Sequence, residues 1–456
     1  MPARLTALAV LMSALSFHTS LEAKVLEHTL ANGMKILVKE DRRAPVVASM
    51  VWYRAGSMDE VTGTTGVAHV LEHMMFKGTK DVPPGEFSRI IARAGGRDNA
   101  FTNKDSTVYH QQLHKSKLPL ALHLEADRMA NLLLAEDEFS REIRVVMEER
   151  RLRTDDQPKS LVYEAFMATA YESHPYRTPV VGWMSDLENM RVEDARAWHR
   201  TWYSPNNATL VVVGDVSADE VFAQAEKEFG PIAARPLPLR KEQREAPQRG
   251  VRRVTVKAPA ELPYLMLGWH VPSLRHVDED WEPYALEVLA AVLDGSDAAR
   301  LDRELVRESR VAIAVGAGYD RVNRGPGLFV MDGTPAPGKT VQELEQALRG
   351  QISRIIEEGV STEELQRVKA QVTAYQVFQL DSMFAQARQI GALDNAGLPY
   401  DSIELQARKI KEVTSAQVQE VARKYLVEDG LTVGVLDPQP MGDRKPAPPP
   451  PSEHRR

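Results

Sequence analysis

Two histidines and a glutamate in residues 66–76 have the spacing of a hydrolytic metal site. His69 and His73 are four residues apart, so on a helix both imidazoles project from one face and can bind one ion. Glu72 places a carboxylate beside that ion. Such histidines typically bind Zn²⁺, and a glutamate of this kind takes a proton from water. The order His-x-x-Glu-His is the inverted form of the zinc-protease signature.

A structural helix is the alternative interpretation of this segment. Three fixed positions can arise by chance, and histidines are often buried in amphipathic helices. Thr64-Thr65-Gly66 can begin a helix. The buried face of that helix would consist of Val67, Val70, Leu71, Met74 and Met75. We favour the metal site because other parts of the chain supply a third ligand and matching motifs.

Zinc needs another protein ligand, with one position left for water. Residues 142–150 predict a helix that can supply a carboxylate. Glu142 and Glu149 are seven residues apart, which is two turns, so they share a face. A charged helix with a solvated acidic face is the structural alternative. Periodicity alone does not decide between Glu148 and Glu149.

Composition excludes several other classes of function. The chain has 456 residues, a formal net charge of -7 and no long Lys/Arg run, so we expect no nucleic-acid partner. It contains no cysteine, which excludes disulfides, thiolate zinc sites and cysteine nucleophiles.

The N-terminus predicts export. Residues 1–23 have the pattern of a signal peptide: Arg4 is followed by an apolar run from Leu5 to Leu15, and residues 21–23 form an imperfect cleavage site. No later segment is long and apolar enough to span a membrane. We therefore expect an exported protein, in the periplasm, without a membrane span.

The rest of the chain predicts an α+β fold of two similar halves, each a mainly antiparallel sheet with helices packed on it. The expected N-terminal catalytic half is 24–230, the linker 231–250 and the C-terminal half 251–438. Residues 439–456 are a proline-rich tail. Near its C-terminal end, each half contains the start of a helix followed by a buried strand, and the two copies are 221 residues apart. This repeat indicates a duplication.

Three predictions concern local structure near the candidate site. Asn99–Leu113 alternates like one strand, and Glu138–Arg153 has the pattern of one helix. His110 and His114 are also four residues apart, but on a strand they would lie about 13 Å from each other and could not share an ion.

The chain resembles the pitrilysin/insulinase family of inverted-zincin metallopeptidases, in the exported bacterial two-half type that is similar to mitochondrial processing peptidase subunits. The resemblance covers most of the mature chain, with motifs in the family's order. These motifs are His69-x-x-Glu72-His73, Val145-Val146-Met147-Glu148-Glu149, Asn99-Ala100-Phe101-Thr102, His174-Pro175-Tyr176 and Tyr203-Ser204-Pro205-Asn206-Asn207-Ala208.

This resemblance implies roles for particular residues. It implies zinc bound by His69, His73 and Glu149, with Glu142 as a supporting carboxylate. It also implies that an edge strand binds the backbone of a peptide substrate, which would tolerate many substrate sequences. That strand would contain Asn99, Ala100, Phe101 and Thr102.

The chain departs from the family in its second half. Family members often have an Arg followed seven residues later by a Tyr, and both contact the substrate. Here Arg307 is present, but the tyrosine position is Ala314. Tyr319 lies at an odd offset from that position, on the opposite face of a strand, and is a poor replacement.

Two explanations of this departure compete. Either the chain is less active or uses another donor, or a related partner chain that keeps the Arg/Tyr pair completes the site. We favour the partner, as a hetero-dimer, with a homo-dimer as the second arrangement.

The sequence therefore predicts a zinc-dependent endopeptidase that hydrolyses peptides or unfolded segments inside an enclosed chamber. One alternative is a non-catalytic or weakly active, chaperone-like assembly subunit of the same fold. Another is an export-associated processing enzyme with one dedicated substrate.

Overall fold

A computed structural model describes residues 24–441. The predicted signal peptide and all but the start of the proline-rich tail lie outside this range. Within it, no helix has both the length and the apolar character that a membrane crossing requires.

A six-stranded sheet organises the first half, in the order β1-β2-β6-β3-β5-β4. Its strands are Leu26–Thr29 (β1), Lys35–Glu40 (β2), Val46–Tyr53 (β3), Arg97–Thr102 (β4), Thr107–His114 (β5) and Ala208–Gly214 (β6). β2 and β6 are parallel and the other pairs are antiparallel. Since β4 is an edge strand, its outer backbone groups have no neighbouring strand within this sheet.

The helices of the first half pack mainly on one face of this sheet. They are Val67–Met74 (α1), Glu86–Arg93 (α2), Leu118–Asn131 (α3), Glu136–Arg150 (α4), Pro158–Ala170 (α5), Met184–Asn189 (α6), Val192–Trp202 (α7) and Ala218–Phe229 (α8). Alternate strand residues and apolar helix residues form a core between the sheet and the helices. α1 contributes Val67, Val70 and Leu71 to this core. Burial of this apolar surface holds α1 against the sheet.

The second half contains a five-stranded sheet in the order β7-β11-β8-β10-β9. Its strands are Arg252–Pro259 (β7), Tyr264–Val271 (β8), Ala312–Tyr319 (β9), Gly327–Pro335 (β10) and Leu431–Gln439 (β11). Its helices are Glu282–Asp294 (α9), Val341–Glu358 (α10), Thr362–Leu380 (α11), Met383–Ala396 (α12), Ile403–Glu412 (α13) and Ser415–Tyr425 (α14). β7 and β11 are parallel and the remaining pairs are antiparallel.

The two sheets confirm the predicted fold class of two α+β halves. Residues 231–250 contain no helix or strand. The predicted repeat corresponds to α7 followed by β6 in the first half, and to α14 followed by β11 in the second.

Each half covers the second face of the other half's sheet with one helix. α12 places Ala387 and Ile390 against the face of the first sheet that contains Met50 and Trp52. A Cβ on Gly391 of α12 would overlap the ring of Trp52, so glycine allows this close approach.

The reciprocal contact is made by α5. This helix packs Val162 and Phe166 against the face of the second sheet that contains Met266. A Cβ on Gly268 would lie 2.5 Å from the Phe166 ring, so a glycine again makes room for an aromatic side chain. We call this pair of contacts the helix exchange.

A buried ion-pair cluster also joins the halves. Arg324, from the loop between β9 and β10, lies 2.9 Å from Asp59 and is 7% exposed. Its backbone N–H donates to Asp105 at 2.9 Å. Asp59 also pairs with Arg240 of the linker segment, at 2.9 Å. This interhalf cluster therefore connects the turn before α1, the β4–β5 turn and both halves.

Two predictions of local structure are wrong. Asn99–Leu113 is a hairpin of β4 and β5, because the side chain of Asn103 accepts N–H groups of Asp105 and Ser106, both at 2.8 Å, and closes a turn. The helix predicted to Arg153 is α-helical only to Arg150, and Arg151–Asp155 forms a π-helical turn.

Candidate metal centre

The N-terminus of α1 is held by two carboxylates. Glu60 accepts the N–H groups of Gly66 and Ala68 at 2.8 and 2.9 Å. Asp186 accepts the N–H of Thr65 at 3.1 Å. Their oxygens satisfy N–H groups that lack an intrahelical partner. They fix the start of the helix from which His69 and His73 project.

His69, His73 and Glu149 converge on one point. One candidate ligand atom from each lies within 4.8 Å of the others. Oε2 of Glu149 lies 3.3 Å from Nε2 of His73 and 3.8 Å from Nε2 of His69. Within residues 24–441 no other group of three metal-ligating side chains has this geometry.

The neighbouring glutamate points elsewhere. Glu148 lies 3.0 Å from Arg151 and is 59% exposed, whereas Glu149 is 16% exposed and faces the histidines. The geometry thus distinguishes two residues that periodicity left open.

Glu142 lies behind His73. Its Oε1 is 2.9 Å from Nδ1 of His73, and its Oε2 is 2.5 Å from Nζ of Lys77. A carboxylate on the far nitrogen of a histidine fixes the ring and leaves the other nitrogen directed at a metal. Nδ1 of His69 is buried and has no hydrogen-bond partner among the described residues.

The electrostatics of the three groups are strongly coupled. Burial lowers the pKa of His69 to about 4, so this imidazole is neutral near pH 7. Burial also opposes charge on His73, but hydrogen bonds to Glu142 and Glu149 outweigh it and raise the pKa of His73 to about 9. Burial opposes charge on Glu149 too, but the hydrogen bond with His73, with His69 and Arg153 nearby, outweighs it and lowers the pKa of Glu149 to about 2. A cation bound here would therefore displace the proton of His73.

Glu72 and the edge strand lie beside this group. The hydroxyl of Thr102, at the end of β4, donates to Oε2 of Glu72 at 2.5 Å. Glu72, the two histidines and the predicted substrate strand line one cleft of about 1210 Å³. Its strand residues are Asn99, Ala100, Phe101 and Thr102.

All residues lining the cleft lie between His69 and Val181. Arg307 is not among them: it pairs with Asp302 at 3.0 Å and is 54% exposed. Ala314 and Tyr319 line an adjoining cavity between the halves, which shares Lys104, Tyr163 and Met167 with the cleft. The hydroxyl of Tyr319 donates to the carbonyl of Pro272, so it serves the second half's own structure.

The donor set fits zinc. Two imidazole nitrogens and a carboxylate oxygen are among the ligands Zn²⁺ prefers, and bonds of about 2.0–2.1 Å at tetrahedral angles separate ligands by about 3.3–3.5 Å. The separations of 3.3 and 3.8 Å from Glu149 to the histidines are close to this value.

Comparisons with known proteins identify relatives of this chain. The family model of Insulinase (Peptidase family M16) matches residues 35–182, and that of the Peptidase M16 inactive domain matches 189–372. Zinc protease PqqE from Helicobacter pylori is 32% identical over 426 residues, which cover 90% of this chain and 92% of that protein. The chain belongs to the insulinase family of peptidases, M16. The predicted family is thereby confirmed.

Solved structures extend the likeness. The crystal structure of a protease from Helicobacter pylori has a TM-score of 0.87 and 29% identity to this M16 chain, and the match covers 91% of this chain and 100% of that one. The periplasmic protease PqqL from Escherichia coli has a TM-score of 0.78 at 19% identity, over 91% of this chain and 48% of that one. It shares the fold, and this chain spans about half its length.

Two residues at the site were missed from the sequence. Arg153, which lies 2.7 Å from Glu149, was treated only as the end of a helix. Lys104 lines the cleft from the turn after β4. The turn residues Asn103 and Asp105 were the available indication of that hairpin. No simple sequence pattern predicts a π-helical turn, so the position of Arg153 at the site could not be predicted in the same way.

Proposed function

We propose that this chain is a zinc-dependent endopeptidase. One observation carries the proposal: His69, His73 and Glu149 converge in the cleft that also contains Glu72 and an edge strand. A structural role for the histidines would require neither the third ligand nor the opening to solvent.

In this proposal His69, His73 and Glu149 hold the metal. Zinc bound there would act as a Lewis acid and would lower the pKa of a bound water to about 7. Glu72 takes the proton from the attacking water and passes it to the leaving amine. The hydroxyl of Thr102 donates to one oxygen of Glu72 and thereby orients this carboxylate in the cleft. Glu142 keeps His73 in the orientation and tautomer that a metal requires.

The substrate is proposed to be an extended peptide. β4 is the edge of its sheet and borders the cleft, so a peptide can add to it as a further strand. Backbone hydrogen bonds would supply most of the contact, which favours unfolded segments of varied sequence.

A second chain is proposed to complete the site. Residues of this chain's second half do not line the cleft, and Ala314 provides no side-chain donor. A related chain with the Arg/Tyr pair, in a hetero-dimer, would supply that donor and enclose the cleft. A homo-dimer would enclose the cleft but bring only a second Arg307.

The protein is also proposed to be exported to the periplasm. Residues 1–23 have the composition of a signal peptide, and the structurally similar PqqL is described as periplasmic.

Ala314 favours one other function, that of a weakly active or non-catalytic assembly subunit. Metal content and turnover separate the two functions.

The native protein is purified together with any chain that accompanies it. Its zinc content and its cleavage of a mixed peptide set are then measured with and without that companion. We expect about one zinc per chain, slow cleavage by the chain alone and faster cleavage with the companion.

The matched variant is Glu72→Gln, which keeps the size of the side chain but removes the base. We expect it to retain zinc and to lose cleavage by about 10²-fold or more, within the usual range for general-base loss. Full zinc with no cleavage under any condition would favour the assembly subunit. A single cleaved peptide from the mixture would indicate a dedicated processing enzyme.

A further inference from the structure

Arg153 contacts the carboxylate that faces the two histidines. Its Nη1 lies 2.7 Å from Oε1 of Glu149. The other oxygen, Oε2, lies 3.3 Å from Nε2 of His73. The two oxygens of Glu149 therefore have different partners, because one faces the imidazoles and the other is held by a guanidinium.

The backbone that carries Arg153 is itself fixed. Residues Arg151–Asp155 form a π-helical turn, and the N–H of Asp156 donates to the carbonyl of Arg151 at 2.8 Å. At the end of α4, the buried Arg150 forms ion pairs and hydrogen bonds with α5 through Glu164, at 2.8 and 2.9 Å. Arg153 thus projects into the cleft from a restrained segment.

We propose that Arg153 is a positioning residue for the metal ligand Glu149. It holds the outer oxygen of the carboxylate so that only the inner oxygen faces the metal position. The inference rests on the proposed function, because it assigns Arg153 a role toward the zinc that His69, His73 and Glu149 would bind. None of the motifs that relate this chain to its family includes Arg153.

Two effects of Arg153 oppose each other. Its positive charge disfavours a cation nearby, whereas its contact restrains a glutamate side chain that otherwise loses rotational freedom on binding metal. Arg153 is 49% exposed, so solvent screens its charge, but screening does not relax the restraint. Restraint therefore outweighs repulsion. Outer contacts of this kind change metal affinity by about 10- to 100-fold, and we expect the lower end.

Arg151 provides a matched control. It lies in the same π-helical turn, is 45% exposed and pairs with Glu148 at 3.0 Å. Arg151→Met removes the same charge from the same turn without touching Glu149. Arg153→Met removes both the charge and the contact, and Arg153→Lys keeps the charge with a single ammonium in place of the guanidinium fork.

The experiment measures zinc affinity of the full chain by competition with a chromogenic chelator. Arg153→Met should bind zinc about tenfold more weakly than wild type, which is about 1.4 kcal/mol. Arg153→Lys should fall between them, and Arg151→Met should lie within about twofold of wild type. The visible spectrum of the Co²⁺-loaded protein should change in Arg153→Met, since the released oxygen can join the metal, and should be unchanged in Arg151→Met.

Equal zinc affinity and equal Co²⁺ spectra for Arg153→Met and wild type would overturn the proposal. So would a loss of the same size in Arg151→Met, because the effect would then not depend on contact with Glu149. If wild type binds no zinc, the proposed function fails, and this inference fails with it. Thermal unfolding of each variant establishes that it is folded before its affinity is interpreted.

Discussion

Lys104 is a charged cleft residue that changes protonation near neutral pH. Its Nζ donates to the carbonyl of Tyr176 at 2.8 Å and lies 5.0 Å from the centre of that ring. Burial lowers the pKa of Lys104 to about 7. It is therefore mostly charged at pH 6 and mostly neutral at pH 8.

This charge gives a prediction for peptide binding. In the zinc-loaded Glu72→Gln protein, an acidic peptide should bind up to about fivefold more weakly at pH 8 than at pH 6, because the attraction to a charged Lys104 is lost. Fluorescence anisotropy of a labelled peptide measures this. Lys104→Met in the same background should remove that part of the pH dependence. An unchanged profile in Lys104→Met would contradict the assigned pKa.

At the scale of single residues, the sequence predicted which residue types occur at which spacing, but not the direction in which each side chain points. The i, i+4 histidines follow from helix geometry alone, so His69 and His73 were predictable. Glu148 and Glu149 are adjacent, and only the packing of α4 decides which one faces the histidines. The contact between Thr102 and Glu72 depends on tertiary structure and had no local indication.

At the scale of elements, β3 and β6 were predictable because continuous apolar runs are typical of strands buried on both faces. β4 and β5 were predicted as one strand, because the turn between them was not recognised. α12 was missed, although Ser382 caps its start and Gly397 has a positive φ of 78° at its end. Both faces of this helix contact protein, one on its own half and one on the other, which weakens the amphipathic period.

The close approach of α12 to β3 predicts opposite effects of one substitution at two helical glycines. Gly391→Ala should destabilise the protein by about 1–3 kcal/mol, because the added methyl overlaps Trp52. Gly350→Ala in α10 should stabilise it by about 0.5–1 kcal/mol, because nothing lies within 4 Å of its Cβ position. Denaturant unfolding measures both. If Gly391→Ala were also stabilising, the packing of α12 described above would be wrong.

At the scale of the whole molecule, two halves are joined by the helix exchange and the interhalf cluster. The sequence predicted the halves from a repeated pattern, but patterns within each half contain no information about contacts between them. The proposed partner also concerns the whole molecule, because the departure at Ala314 becomes visible only when the second half is compared with other family members.

The interhalf cluster predicts a large effect of one buried arginine. Arg324→Met removes the guanidinium that donates to the main-chain carbonyl of Asp105. It leaves Asp59 with one ion-pair partner, Arg240, instead of two. Loss of one member of a buried pair typically costs about 3–5 kcal/mol, and we expect about 3. Lys339→Met, which removes an exposed pair with Glu343, should cost less than about 0.5 kcal/mol.

Unfolding in denaturant measures both changes, and hydrogen exchange should show faster exchange in the β4–β5 turn of Arg324→Met alone. Similar stability of the two variants would show that the halves are held together by the helix exchange without help from this cluster.

The helix exchange also sets the order in which the chain can fold during synthesis. The first sheet is complete when the ribosome has made β6, which ends at Gly214, but α12 begins only at Met383. Throughout that interval one apolar sheet surface, with Met50 and Trp52, is uncovered. The sheet on which α5 packs is also incomplete, because β11 begins only at Leu431. A chain that ends before α12 therefore leaves this apolar surface exposed, and such surfaces favour aggregation.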